Sequence, residues 1–216
     1  MSARPVVHLI AGGLALALLA GCATQDQRAL PRKLAAMTPA DVSAGARIMD
    51  DPRERHILIS TQSAFRSSRP IAGGLEAQTY LSATVERRTG ATHIKLWQKT
   101  LYKGARKELH QVNYRSRDGI VAHDLAVAIH EPDDCPGVDR AGSCVLGKTA
   151  AFELSEGLVR EIATLYQPGS REAWSFRFKD RNGRDVIGGI APAEALGLLQ
   201  AIENWREGQG LPGLKS

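Results

Sequence analysis

Between residues 56 and 130 the chain alternates apolar and polar side chains in runs that stop at glycine-bearing turns. The runs are His56-Ile57-Leu58-Ile59 and then about 76–88, 92–102, 107–117 and 120–130. In the second, Thr79, Leu81, Ala83 and Val85 share one face; in the third, Ile94 and Leu96 do; in the last, Leu125, Val127 and Ile129 do. A period of two is the pattern of a strand with one buried face. The breaks Thr89-Gly90, Lys103-Gly104 and Asp118-Gly119 suit hairpin turns. Strands joined so tightly run antiparallel, so this half of the chain predicts a β-meander.

The remainder mixes strand and helix signals. Ala150-Ala151-Phe152-Glu153-Leu154 reads as a further strand, and Ser155 as the cap of a helix presenting Leu158, Val159, Ile162, Leu165 and Tyr166. Gly169 ends that helical region. Trp174, Phe176 and Phe178 alternate ahead of an Asn182-Gly183 turn, with a return strand over Val186–Ile190. A last helix starts near Pro192 and presents Leu196, Leu199, Ile202 and Trp205. The fold class expected is α+β: an antiparallel β-meander sheet with two helices from the C-terminal half packed on one face. The globular domain is expected over 55–207, with a loose tail over 208–216. Residues 22–54 show little apolar periodicity and read as a flexible tether. Within it, Thr38-Pro39-Ala40-Asp41 has the form of a helix start, predicting a helix over about 39–49.

The first residues carry a different pattern. Arg4 precedes an apolar run from Val6 to Ala20, and no acid occurs before Asp26. Charged start, apolar middle and small residues at the end make the layout of a secretory signal. The run is short for a membrane span and has Gly12-Gly13 inside it. Leu19-Ala20-Gly21-Cys22 resembles the lipobox of bacterial lipoprotein precursors at all four positions. That resemblance implies a signal peptide over 1–21, cleavage between Gly21 and Cys22, and acylation of Cys22. Two or more acyl chains, at about 0.8 kcal/mol per buried methylene, make a stable anchor. It also implies a membrane partner through the N-terminal lipid. Ala23, where an aspartate would favour the inner membrane, points to the outer membrane, with the domain facing the periplasm.

Export changes how the cysteines read. Beyond Cys22 only Cys135 and Cys144 remain, and such a pair in an exported domain predicts a disulfide. The alternative is two free thiols or a metal site with His130. Cys144 lies within Gly142-Ser-Cys-Val-Leu-Gly147-Lys148-Thr149, which fits the phosphate-loop pattern letter for letter. A true phosphate loop follows a buried parallel strand and opens a helix; here a strand follows, and the compartment offers no nucleotide pool. The motif therefore reads as a stapled turn entering a strand, and no nucleotide is expected. His130-Glu131-Pro132-Asp133-Asp134 could approach a cation, but no second ligand cluster has matching spacing, and it reads as a solvated turn. His123-Asp124 reads as structural. No Gly-x-Ser-x-Gly elbow occurs, and no nucleophile stands out with its base. The chain is expected to be non-catalytic, without cofactor or metal.

Charge supplies the remaining signal. The formal charge is +5, and removal of Arg4 with the signal leaves +4, too weak to imply nucleic acid. The basic residues are concentrated: Arg87, Arg88, Lys95, Lys99, Lys103, Arg106, Lys107, Arg115 and Arg117, opposed in that stretch only by Glu108. If Ile94 and Leu96 face the core, then Lys95, Trp97, Lys99 and Lys103 face outward. Such a strip suits an anionic envelope component or an envelope protein, or serves as a solvated sheet face protected by lysines. Three functions are thus carried forward: a non-catalytic envelope interaction module, a small-ligand or metal module using residues 130–149, and an envelope hydrolase.

Overall fold

The computed structural model describes residues 29–62, 74–135 and 144–212. The described strands are β1 (Arg47–Met49), β2 (His56–Ser60), β3 (Gly74–Glu86), β4 (Thr92–Tyr102), β5 (Leu109–Ser116), β6 (Gly119–Asp124), β7 (Val127–Asp134), β8 (Val145–Leu154), β9 (Trp174–Asp180) and β10 (Val186–Ile190). The helices are α1 (Arg32–Ala35), α2 (Pro39–Gly45), α3 (Glu156–Thr164) and α4 (Pro192–Gly208). Neighbouring strands pair antiparallel throughout, and the class is α+β.

The expected single meander divides into two sheets. A six-stranded sheet runs β1-β2-β3-β4-β8-β7, and a four-stranded sheet runs β10-β9-β5-β6. The division falls at Lys103-Gly104, which is a crossing and not a hairpin. Gly104, at φ 101°, turns the chain away from the larger sheet. The Lys107 N–H then donates to the Tyr102 hydroxyl at 3.0 Å, and the Glu108 N–H donates to the Asp180 carboxylate at 2.8 Å. The free edge of β4 is taken instead by β8, in register from Ile94↔Leu154 to Tyr102↔Leu146. The run expected as one strand over 120–130 breaks at Leu125-Ala126, so β6 stays with the smaller sheet while β7 joins the larger. Ile129, expected on a buried face, is 56% exposed on that outer strand.

The two sheets pack face to face around Phe152 of β8. Its ring meets Tyr114 of β5 at 5.8 Å, and Phe176 and Phe178 of β9 at 5.4 and 5.9 Å. Gly188 of β10 leaves room for Gln98 of β4 and for the Phe176 ring, since a Cβ there would overlap both. Helices α3 and α4 cover the rest of the same face of the larger sheet, burying Val159, Ile162, Leu198 and Ile202. The Ser155 hydroxyl caps α3 by accepting the Leu158 N–H at 3.1 Å. Leu165, expected on the inner face of α3, is its C-cap residue and stands 52% exposed.

The segment read as a flexible tether belongs to the folded domain from residue 30 onward. Leu30, Leu34 and Val42 are buried, and β1 pairs with β2. Thr38 and Asp41 form the capping box that starts α2. The reason lies in α4: a Cβ at Gly197 would stand 2.5 Å from the Val42 Cβ, so glycine lets α2 lie against it. Short helices of this kind gain their stability from tertiary packing, and their sequence alone carries little periodicity.

Candidate functional site

One face of the larger sheet packs on the core; the other faces outward. Along β4 the even positions Ile94, Leu96, Gln98, Thr100 and Tyr102 are buried, and Lys95, Trp97 and Lys99 lie on the opposite face. That is the side on which the alternation set them. Lys103 lies just past the strand and is exposed. Strand register then assembles a surface that no single segment contains. Tyr80 of β3 stands opposite Trp97, and their rings stack at 6.1 Å with 5° between planes. The Trp97 indole donates to the Ser82 hydroxyl at 2.8 Å, which fixes its orientation. Next along the row come Ala151 of β8 and Val127 of β7.

The lysines beside this aromatic centre have acidic neighbours that the local charge count could not see. Lys95 Nζ stands 3.9 Å from Glu153 of β8. Lys99 Nζ stands 3.5 Å from Glu131 of β7. The other Glu131 oxygen accepts the Thr149 hydroxyl at 2.6 Å. That hydrogen bond, with Lys99 adding to it, lowers the Glu131 pKa against the opposing effect of burial. The Tyr80 hydroxyl is pushed upward by burial and by Glu131. The outer face therefore carries charges of both signs around an aromatic stack. At its β1 end it meets an open hollow of about 630 Å³, bordered by Met49, Leu58 and Thr84.

The phosphate-loop look-alike is accounted for residue by residue within the described part; Gly142 and Ser143 lie outside it. Cys144 is bonded to Cys135, with Cα atoms 4.1 Å apart. Gly147 leaves room for Glu131 to cross β8, since a Cβ there would stand 2.5 Å from the Glu131 Cβ. Lys148 points inward and is buried, its Nζ 3.3 Å from His130 Nε2. Burial lowers its pKa, opposed by the nearby Glu108 and Asp180. Thr149 holds Glu131 on the outer side. Glycine, lysine and threonine here serve one strand between β4 and β7 of the larger sheet, and the residues that follow them continue that strand to Leu154.

Lys148 belongs to a polar group at one end of the sandwich. Asp180 is buried; one oxygen accepts the Glu108 and Asn182 N–H groups, and the other has no partner among the described residues. Of the remaining sequence candidates, Asp133 pairs with Arg106, and His123 contacts the backbone oxygen of Asp124. Among the described residues no three of His, Cys, Asp and Glu gather as a metal-binding group. Gly21 and Cys22 lie outside the described residues. No described helix is long and apolar enough to cross a membrane.

Sequence reasoning missed Glu194. It occupies the first turn of α4 and is fully buried. Its Oε1 accepts the Thr61 hydroxyl and, at 3.0 Å, the Leu81 N–H. Oε2 has no partner among the described residues. Burial pushes its pKa up to about 8, outweighing the two hydrogen bonds. An acid just after a proline reads as an ordinary helix start, so nothing local marked it. No protein family, no curated protein and no solved structure matches the chain.

Proposed function

We propose that this chain is a lipid-anchored protein of the bacterial envelope, acylated at Cys22, that works without catalysis by docking a second envelope protein. In this reading it hangs from the outer membrane and faces the periplasm. One observation carries the docking surface: the parallel Tyr80–Trp97 stack at the centre of an open sheet face, flanked by Lys95–Glu153 and Lys99–Glu131. Protein interfaces concentrate binding energy in central aromatic residues and keep charged groups at the rim. Charges of both signs favour a protein partner over a uniformly anionic one, because a polyanion meets Glu131 and Glu153 along with the lysines. Lys103 adds a further rim cation.

The test is site-specific photo-crosslinking in intact cells from position 95 or 99, with position 164 on α3 as control. A discrete protein adduct from the sheet positions, absent at 164 and lost with Trp97→Ala, supports the reading. Equal adducts from both regions, or indifference to Trp97→Ala and to charge reversal at Lys95, Lys99 and Lys103, sinks it. Separately, mass spectrometry of the mature chain checks acylation of Cys22; an unmodified cysteine removes the anchor. A second reading, a small anionic-ligand module, rests on buried Lys148 beside His130, and stoichiometric ligand in the purified chain would favour it.

A further inference from the structure

The smaller sheet also has an outer face, and its composition differs. Tyr114, Phe176 and Phe178 turn inward, which leaves Asn113, Arg115, Ser175 and Arg177 outward. Arg115 stands opposite Ile120 of β6, and Arg177 opposite Ile187 of β10. Ile120 is 75% exposed, the highest exposure among the large apolar residues described, and Ile187 is 37% exposed. Arg117 extends the set at the tip of the β5–β6 hairpin, next to Asp118. The side chains of Arg115, Arg117 and Arg177 make no hydrogen bond or salt bridge among the described residues; Asp185, which feels the charge of Arg177, is itself paired with Lys179. An isolated aliphatic side chain at a hairpin tip, between two arginines, suits a bilayer interface. The isoleucine enters the headgroup–acyl boundary while the guanidinium groups stay at the level of the phosphates.

The start of the folded chain points to the same end of the molecule. The Leu30 N–H donates to the Arg171 carbonyl at 2.7 Å, and Arg171 Nε donates back to the Leu30 carbonyl at 2.8 Å. Arg171 lies three residues before Trp174, the first residue of β9. The Trp174 indole in turn donates to the Arg115 carbonyl at 3.2 Å. The chain therefore enters the fold beside the β5–β6 hairpin. From Cys22 to residue 29 there are about seven residues, which reach at most about 25 Å.

We infer that the β5–β6 hairpin and the adjoining outer face of the smaller sheet, through Arg115, Arg117, Arg177 and Ile120, dock on an anionic phospholipid surface. The docking orients the larger sheet's outer face away from the bilayer. The orientation rests on acylation at Cys22; the lipid contact does not, and it uses a face other than the one assigned to a protein partner.

The test uses a chain beginning at residue 22, which keeps every described element, with Cys22→Ser so that no acyl chain contributes. Its partition is measured on phosphatidylcholine vesicles with and without about one third phosphatidylglycerol. Binding to the anionic vesicles alone is expected, weakened by added salt. Each arginine near such a surface contributes roughly fivefold, so Arg115→Gln with Arg117→Gln should weaken partition roughly 25-fold. Ile120→Ser should weaken it further, and Trp97→Ala should leave it unchanged. Absence of binding to anionic vesicles, equal binding to neutral ones, or a double variant that partitions like the parent overturns the inference. So does a result in which these variants abolish a protein crosslink but leave vesicle partition intact, which would make the hairpin a protein interface. The vesicle outcomes do not depend on whether the protein-docking reading stands.

Discussion

The two outer faces of the sandwich are both basic in sequence and differ in three dimensions. On the larger sheet, Lys95 and Lys99 come from β4, and their counter-charges Glu153 and Glu131 arrive from β8 and β7. On the smaller sheet, Arg115 and Arg177 come from β5 and β9, and neither forms a salt bridge among the described residues; Asp185, which acts on Arg177 only through the electrostatic field, is paired with Lys179. The first face is organised by a stacked pair of rings, the second by separate exposed isoleucines. Strand order accounts for the contrast. Strand β8 places Glu153 opposite Lys95 and β7 supplies Glu131 to Lys99, whereas β6 and β10 place Ile120 and Ile187 opposite Arg115 and Arg177. Local charge density thus says where cations are concentrated, and the sheet order says which of them remain free to meet a partner.

The contrast depends on the joint between the sheets, and removing that joint should have the largest effect. Phe152→Ala leaves a cavity bounded by Tyr114, Phe176 and Phe178 and should cost about 3–5 kcal/mol in denaturant unfolding. A loss under 1 kcal/mol would mean that the sheets do not share this core. Next comes the staple of the turn that brings Glu131 and Glu153 to the lysines. Replacing Cys135 and Cys144 by serine reopens a loop of about ten residues and should cost about 2.5 kcal/mol. An unchanged melting temperature would remove the disulfide from the account of why the first face is paired.

Two carboxyls sharpen the comparison through pH. Glu131, on the open face, is lowered by Thr149 and Lys99 and stays ionised at neutral pH; Glu194, in the interior, is raised to about 8. In the folded chain Glu194 keeps its proton up to about pH 8, whereas the unfolded chain releases it above the ordinary 4.5. The unfolded state therefore binds fewer protons across that window, and stability falls as pH rises through it. The slope is about 1.4 kcal/mol per pH unit, or about 2 kcal/mol between pH 6 and 7.5. Comparing unfolding of the parent with Glu194→Gln isolates it; parallel pH profiles would contradict a protonated Glu194. The smallest effect belongs to the charge pairs themselves. A double-mutant cycle on Lys99 and Glu131 should give about 0.2–1 kcal/mol of coupling, while Arg115→Ala should change stability by no more than about 0.5 kcal/mol. A larger loss at Arg115 would show that it has a structural partner and is not free.

Much of the local structure was readable in the chain. The alternation in 92–102 assigned Ile94 and Leu96 to one face and Lys95, Trp97 and Lys99 to the other, as β4 has them. Ser155 and Pro192 marked the starts of α3 and α4, and Thr38-Pro39 the start of α2. What escaped were the pairings. The run around Lys103-Gly104 has the composition of a hairpin, but whether a turn closes a hairpin or launches a crossing depends on which strand takes the free edge. That strand, β8, lies more than forty positions further on. The Tyr80–Trp97 stack and the Glu131–Lys99 pair escaped for the same reason. The tether escaped because what holds α2, its packing at Gly197, is remote in sequence.

By itself the sequence determined the class of most elements, the faces of β3, β4 and β9, the lipobox resemblance and the pairing of the last two cysteines. Each of these is a relation among near neighbours, fixed by backbone periodicity or by elimination within a short count. The tertiary structure alone decided that the meander divides, that Gly147, Lys148 and Thr149 of the phosphate-loop pattern lie in a strand between β4 and β7 of the larger sheet, and that the lysines of one basic face are paired while arginines of the other are not. Those outcomes turn on which distant strands share an edge. That choice is made by burying Phe152, Phe176, Phe178 and their neighbours together, and no window along the chain contains them all.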